Sequence, residues 1–329
     1  MSAERRLLVV VALLLMVPFA AGAQPAKEPK PQPKPPVIPE SVVVERDAEY
    51  GTGGGVSLKL DIVRPKAASE KPRPVIAFIH GGGWSGGNKE SAVGQLIPFA
   101  ASGNYFCATI EYRLSGVATW PAQIHDCKAA IRWLKANAKR YNIDPEKIGV
   151  WGSSAGGHLV SMLGVSSGAK QLEGDCGSPG RSSRVACVVD YCGPSDFLGI
   201  ARVKRSTEQR AYDPVSKLLG GPIEEQKEAA VSASPVTYAS KDAAPVLIVH
   251  GTNDTTVPLE QAEVFYAALK KAGADATFVK VIGGTHNVGG SGGPELLKRV
   301  QAFFEKHLRG QNVEVSDQAI EAQPIPKRP

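Results

Sequence analysis

The feature that most constrains the fold is an alternation of short apolar runs with amphipathic stretches, which starts near Ser41. Apolar runs typical of buried strands lie at residues 42–44, 58–63, 75–80, 105–112, 148–151, 185–191, 246–250 and 277–281. Stretches with helical spacing lie at residues 121–140, 155–165, 259–272 and 294–308. Strands that alternate with helices pair in parallel and need cover on both faces. The order therefore predicts an α/β fold, with a mostly parallel central sheet and helices on both of its faces.

The start of the chain has the pattern of a secretory signal. Arg5 and Arg6 precede an apolar run at residues 7–16, and small residues follow at 21–23. The apolar run is shorter than the roughly 20 residues that a spanning helix needs. We therefore expect residues 1–23 to be cleaved, leaving a periplasmic or extracellular protein without a stable membrane span.

Three other segments differ in composition from the alternating region. Residues 24–40 are rich in Pro and Lys, which predicts an extended linker before a folded domain at 41–309. Within that domain, residues 196–242 are charged and poorly periodic, and both a small lid over the strand ends and an irregular excursion fit this pattern. Residues 310–329 are polar with terminal prolines, which predicts a flexible tail outside the core.

The charge pattern argues against a nucleic-acid partner. The formal net charge is +6, but Lys and Arg are interleaved with Asp and Glu along the chain. A nucleic-acid surface needs a sustained basic patch or a basic stripe with aromatic residues. We expect no such partner.

The five cysteines leave two interpretations open. They are Cys107, Cys127, Cys176, Cys187 and Cys192, an odd number, so at least one is unpaired within the chain. None forms a Cys-x-x-Cys pair, so the sequence does not favour a zinc site. Cys176 and Cys187 flank a Gly- and Ser-rich loop and could close it by a disulfide. Alternatively, the cysteines are small buried hydrophobic residues.

The sharpest motif is Gly-Ser-Ser-Ala-Gly at residues 152–156, which matches G-x-S-x-G with Ser154 at its centre. It follows a short apolar strand and precedes a helical pattern. A tight turn between strand and helix presents one side chain at the sheet edge, and the flanking glycines avoid collisions. We predict Ser154 as a nucleophile, in preference to Ser153, which lacks the symmetric glycines.

A serine hydroxyl needs a base, and three histidines follow the motif at a suitable distance. His250 closes an apolar strand and is expected to pack there, whereas His307 lies in a helical pattern typical of a solvated face. His286 lies in a loop just beyond the strand at 277–281, where its ring can reach across the strand ends. We therefore predict His286 as the base.

The base needs an orienting carboxylate. Asp254 follows the strand at 246–250 in a polar loop, one strand before His286. Consecutive strands are commonly neighbours in space, so this position favours Asp254. Asp196, which follows the strand at 185–191, is the second candidate.

A glycine loop, His-Gly-Gly-Gly-Trp at residues 80–84, follows another strand. Backbone N–H groups fixed in advance stabilise the negative oxygen that forms when an acyl carbon is attacked, each donor contributing roughly 3 kcal/mol. We predict an oxyanion hole formed by the N–H groups of Gly81, Gly82, Gly83 and Ala155.

These motifs, in the order HGGGW, GSSAG, HGTND and the loop with His286, resemble the α/β-hydrolases of the esterase and lipase group that carry an HGGG motif. That group includes esterases similar to hormone-sensitive lipase and bacterial feruloyl and acetylxylan esterases. The resemblance covers about residues 42–308. It implies an α/β-hydrolase fold and hydrolysis of esters through an acyl-enzyme without a metal or organic cofactor, on a small-molecule or polysaccharide-linked substrate.

Two other functions remain open from the sequence. One is an amide or peptide hydrolase related to prolyl oligopeptidases, although no propeller-like region precedes the domain. The other is a binding protein that kept the fold and lost catalysis, because fold alone does not establish activity. The chain nevertheless has a candidate for each member of the triad.

Overall fold

A mixed sheet of nine strands runs through residues 36–201 and 213–323, which are the residues described by the computed structural model. The strands are β1 Val42–Gly53, β2 Val56–Pro65, β3 Arg73–Ile79, β4 Phe106–Ile110, β5 Ile143–Ser153, β6 Cys187–Tyr191, β7 Val246–Gly251, β8 Ala276–Ile282 and β9 Ile320–Glu321. Their order across the sheet is β1-β2-β4-β3-β5-β6-β7-β8-β9. The strand β2 is antiparallel to β1 and β4, and the other neighbouring pairs are parallel.

Helices cover both faces of the sheet. They are α1 Val93–Ala101, α2 Ala122–Ala136, α3 Ala138–Tyr141, α4 Ala155–Val165, α5 Phe197–Ala201, α6 Pro214–Leu219, α7 Lys227–Ala233, α8 Glu260–Lys271, α9 Val288–Ser291 and α10 Gly293–Arg309. One core joins β-strand side chains to α2, α4 and α8, and a second joins them to α1 and α10. This arrangement confirms the predicted mostly parallel sheet with helices on both faces. Over the part of the chain that the structure describes, no helix is both long and apolar enough to cross a bilayer.

The sheet brings distant motifs to one edge. The strands β3, β5, β6, β7 and β8 are parallel, so their carboxyl ends lie together. The segments that follow four of them carry the HGGGW loop, Ser154, Asp254 and His286. Loops at the carboxyl ends of parallel strands are the usual place for sites in such folds.

The segment at 196–242 forms helices in both of its described parts, 196–201 and 213–242. The helices α5, α6 and α7 contribute Phe197, Leu218 and Ala230 to the larger core. The α6 helix lies against the glycine loop, where the Pro214 ring would be 3.0 Å from a Cβ added at Gly83. The described parts therefore pack on the core, and α6 lies beside the glycine loop.

The structure differs from the prediction of a flexible tail after Arg309. Residues 310–323 run back along α10, and Ile320 and Glu321 pair with the end of β8. Ile320 is only 6% exposed, because its side chain packs in the core that also contains side chains of α10. The Arg299 guanidinium donates a hydrogen bond to the Ser316 carbonyl at 2.6 Å. Ile320, with Val315 and Ala322 packed beside the same core, holds this otherwise polar segment to the sheet. The terminal residues 324–329 lie outside the described residues.

The cysteines, all of which lie in the described segments, are free thiols. Cys107, Cys127, Cys187 and Cys192 are buried, and Cys176 is half-buried. Of the two open interpretations, the structure agrees with the second: Cys176 and Cys187 form no disulfide, and the Cys187 side chain packs in the sheet core as part of the buried strand β6. The predicted secretory signal at 1–23 and the first part of the linker, 24–35, fall outside the described residues.

Candidate active site

Ser154 occupies a strained turn between β5 and α4. Its φ of 57° and ψ of −121° place a non-glycine residue in a region that side chains disfavour. The turn is held by the Ser154 N–H, which donates to the Tyr191 carbonyl at 2.7 Å. Glycine is required at position 156, because a Cβ there would collide with the Ile79 carbonyl oxygen at the end of β3. The backbone therefore fixes the Ser154 hydroxyl at the carboxyl edge of the sheet.

Three polar side chains meet at this edge in a chain of hydrogen bonds. The His286 Nε2 atom lies 2.9 Å from the Ser154 Oγ atom, and His286 Nδ1 lies 2.7 Å from the Asp254 Oδ2 atom. These contacts span 132 and 32 residues along the chain. The Asp254 side chain is fully buried, whereas that of His286 is 27% exposed. The structure thus brings together all three residues predicted as a triad.

Asp254 is held as an anion by its surroundings. Its Oδ1 atom accepts the backbone N–H groups of Thr256 at 2.8 Å and Val257 at 2.9 Å. Burial alone would raise the pKa of Asp254, but hydrogen bonds from His250, His286 and the Val257 N–H outweigh burial and hold this pKa well below its usual range. An ionised carboxylate beside the His286 Nδ1–H keeps the opposite nitrogen free to accept a proton from Ser154.

The predicted oxyanion loop lies against the nucleophile. A Cβ added at Gly81 would be 3.4 Å from the Ser154 Cβ, so the two backbones are adjacent. Gly82 has a φ of +116°, a conformation that glycine adopts without strain, and its carbonyl accepts the Gly86 N–H at 3.0 Å. Gly83 follows with a φ of +59°. The Gly82 carbonyl oxygen therefore has its hydrogen-bond partner within the loop.

Ala155 is the other predicted donor. It is the first residue of α4, and the first N–H groups of a helix have no partner inside that helix. The positive end of the helix dipole adds to the attraction for a negative oxygen at this point. The loop and the helix therefore approach Ser154 together.

A buried histidine that the sequence analysis did not single out connects the glycine loop to two helices. The Trp84 indole N–H donates to His158 Nδ1 at 3.1 Å, and His158 Nε2 lies 2.7 Å from the Ala233 carbonyl of α7. Burial lowers the pKa of His158 to about 4, so the ring is neutral near pH 7. Its position in the apolar helical stretch at 155–165 was the available signal, since a histidine buried there needs partners for both nitrogens.

The competing residues lie elsewhere or have other partners. Asp196 accepts the Gly199 N–H at 2.9 Å and so caps α5. His307 packs on the Phe303 ring near the end of α10. Ser153 lies 4.0 Å from the Cys192 sulfur atom. His250 is buried as expected, but it also contacts Asp254, which sequence reasoning missed.

One group of potential metal ligands occurs among the residues with described positions: Cys192, Asp254 and His286, whose ligand atoms lie within 4.8 Å of one another. Two of these side chains bond to each other, and the Cys192 thiol donates to the His286 carbonyl at 3.3 Å. These hydrogen bonds explain why the three side chains lie close together.

Comparisons with known proteins agree with this geometry. The family model described as BD-FAE matches residues 60–269. A probable carboxylic ester hydrolase, LipM of Mycobacterium tuberculosis, is 34% identical over 232 residues, which cover 68% of this chain and 51% of the relative. The chain thus spans about half the length of this curated relative.

Solved structures show the same fold. A truncated carbohydrate esterase from gut microbiota is 32% identical with a TM-score of 0.75, covering 84% of this chain and 100% of that one. Esterase 2 of Thermogutta terrifontis phosphorylated by paraoxon is 25% identical with a TM-score of 0.65, covering 86% of this chain and 100% of that one. The fold, the order of the motifs and the matched family model together show that the chain belongs to the BD-FAE family of α/β-hydrolases.

Proposed function

We propose that this protein hydrolyses carboxylic esters, with Ser154 as nucleophile, His286 as general base and Asp254 as the orienting carboxylate. The observation that carries the proposal is the continuous chain of hydrogen bonds from Ser154 Oγ through both nitrogens of His286 to Asp254. The esterase names of the relatives support the same reaction class.

Acylation follows from the position of each group. Ser154 Oγ forms a bond to the ester carbonyl carbon while its proton passes to His286 Nε2. The carbonyl oxygen becomes negative, and the N–H groups of the 81–83 loop and of Ala155 stabilise it. His286 then gives its proton to the alcohol oxygen as the C–O bond breaks. The product is an acyl group on Ser154 and a free alcohol.

Deacylation repeats the same steps with water. His286 Nε2 takes a proton from a water molecule, whose oxygen attacks the acyl carbon. Collapse of the second tetrahedral intermediate releases the carboxylic acid and returns a proton to Ser154. The neighbour phosphorylated by paraoxon supports this covalent route, because organophosphates react with activated serine nucleophiles.

For the substrate, we propose short acyl esters, including acyl groups attached to polysaccharides. The similarity to a carbohydrate esterase supports the polysaccharide option. The N-terminal pattern at residues 1–23 supports an exported protein, which would meet such polymers outside the cytoplasm.

Steady-state hydrolysis tests the proposal. We expect wild-type protein to cleave p-nitrophenyl acetate and to release acetate from acetylated xylan, and S154A to lose more than about 10³-fold in kcat on both. The matched control S153A should retain activity, because the Ser153 hydroxyl faces the Cys192 sulfur atom and is not a member of the hydrogen-bonded chain from Ser154 to Asp254. A folded wild-type protein without esterase activity on a panel of nitrophenyl esters would refute the proposal.

A further inference from the structure

His250 stands directly behind the Asp254 carboxylate. It is the fifth residue of β7, its side chain is fully buried, and its Nε2 atom lies 3.3 Å from Asp254 Oδ2. The same Nε2 atom lies 2.9 Å from the Val257 carbonyl oxygen. A single ring nitrogen therefore faces two oxygen acceptors at the start and end of one short turn.

These contacts fix where the His250 proton lies. An imidazole nitrogen that faces two acceptors must be the protonated one, because an unprotonated nitrogen would repel both oxygens. The other nitrogen, Nδ1, is buried and has no hydrogen-bond partner among the residues that the structure describes. A proton on Nδ1 would have no acceptor, so the ring donates through Nε2.

Hydrogen bonds therefore hold the turn from Asp254 to Val257 at both of its ends. Backbone N–H groups of residues 256 and 257 donate to Asp254 Oδ1, while His250 donates to Oδ2 and to the Val257 carbonyl. Asp254 Oδ2 is also the atom that accepts from His286. We infer that His250 is a positioning residue, which holds the Asp254 carboxylate in the orientation and charge distribution that the His286 hydrogen bond requires. This inference rests on the proposed function.

Other polar and titratable groups lie near His250 and Asp254, and a test must leave them unchanged. Asp190 of β6 lies within electrostatic range of His250, and its carboxyl oxygens accept hydrogen bonds from the Ser161 hydroxyl and the Gly193 N–H. The Cys192 thiol lies beside Asp254 and His286. The Ser154 hydroxyl contacts His286 on the side away from Asp254.

Two substitutions separate positioning from packing. H250F keeps a planar ring and removes the donor, whereas H250Q retains an N–H donor at a similar reach. We expect H250F to lower kcat for p-nitrophenyl acetate about 10- to 100-fold with little change in KM. H250Q should recover most of that loss. H307F, which replaces a histidine near the end of α10, is the matched control and should match wild type.

The pH–rate profile adds a readout that packing alone would not change. Without the His250 donor, more negative charge remains on Asp254 for the His286 imidazolium, so the base protonates at a higher pH. The acid limb of kcat/KM should therefore move upward by about 0.5 pH units in H250F and return in H250Q. If H250F does not fold, H250M removes the donor with a flexible apolar chain and takes its place.

Three results would overturn the inference. One is an H250F protein with wild-type kcat and acid limb. Another is an equal loss in H250F and H250Q without any movement of the acid limb, which means packing only. The third comes from proton NMR: the deshielded His286 Nδ1–H resonance should change in H250F and recover in H250Q, and an unchanged resonance contradicts positioning. Since NMR needs no turnover, it tests His250 even if wild type hydrolyses no ester, a result that would refute the proposed function alone.

Discussion

At the scale of single residues, the buried Asp254 carboxylate is the group of the site that most needs hydrogen-bond partners. Its two oxygens receive two backbone N–H groups and face two imidazoles, all without exposure of the side chain to solvent. Such a cage is costly unless the carboxylate is ionised and fully partnered, which is how the structure presents it. In the proposed mechanism, this one buried charge both orients His286 and balances the proton that His286 takes up.

Replacing that charge tests its role. We expect D254N to lower kcat about 10³- to 10⁴-fold with a smaller change in KM, because an amide at this position favours the wrong tautomer of His286. D196N is the matched control, since Asp196 caps α5 and should leave kcat near wild type. A D254N protein with more than a tenth of wild-type kcat would contradict the assignment.

A second buried carboxylate, Asp190, makes a prediction about stability. Burial raises its pKa to about 6, although the Ser161 hydroxyl and the Gly193 N–H partly oppose that shift. A carboxyl whose pKa is higher in the folded than in the unfolded state stabilises the fold below about pH 4 and loses that contribution as pH rises to about 6.

The substitution D190N should remove this contribution to the pH dependence of the free energy of unfolding. Between about pH 4 and pH 6, the free energy of unfolding of wild type should include a fall of about 2 kcal/mol that D190N lacks. Urea unfolding of both proteins across this range measures the difference. Parallel curves for the two proteins would show that Asp190 ionises in the fold as readily as in water.

At the scale of elements, the site is assembled from a loop and two helices that meet at His158. The ring accepts from Trp84 in the glycine loop and contacts the Ala233 carbonyl in α7, while its own backbone lies in α4 behind Ser154. Trp84 and Phe197 also pack edge to face. The position of the glycine loop relative to Ser154 therefore depends on a contact that spans about 75 residues in each direction.

Substituting this histidine should loosen the loop. H158F leaves the Trp84 N–H and the Ala233 carbonyl unpaired, so we expect a loss of about 1–3 kcal/mol in the free energy of unfolding and about a tenfold fall in kcat. Chemical unfolding and steady-state kinetics measure the two effects. H125F is the control, because the His125 side chain lies on α2 and its hydrogen bond is at the exposed carbonyl of Gln171. Equal behaviour of the two variants would show that His158 does not hold the loop.

At the scale of the whole molecule, most of the sheet and the site could be predicted from the sequence. Eight of the nine strands are recognisable in the sequence as apolar runs. Ser154, Asp254 and His286, which form the hydrogen-bonded chain, each follow one of these runs. The bounds were less accurate: β1 was predicted as residues 42–44 but extends to Gly53, because its later residues form an edge hairpin with polar side chains.

The remaining elements and contacts could not be predicted from the sequence, for physical reasons. The strand β9 is two residues long, so its only signal is Ile320 within a polar tail, and its pairing with β8 is decided by tertiary contact. The helices α5, α6 and α7 are five to seven residues long and bury only a few side chains each, which leaves no period to detect. The partners of His158 and His250 depend on which loops meet, and local sequence does not encode that.

Docking of the C-terminal segment predicts a stability effect without an activity effect. We expect I320A to lower the free energy of unfolding by about 2 kcal/mol, because a buried side chain beside α10 leaves a cavity. V313A, at a side chain that is 37% exposed, should change it by less than about 0.5 kcal/mol. Urea unfolding compares the two, and kcat should stay near wild type in both. Equal stability would place the segment outside the core after all.

The most direct test of the central claim is the mass of the protein after reaction with a fluorophosphonate, followed by peptide mapping. We predict one adduct per chain, on the peptide that contains Ser154, and none in S154A or in denatured wild type. Slower labelling is expected in D254N, where His286 lacks its orienting partner. A folded protein that takes up no adduct, or takes it up at another residue, would contradict the account.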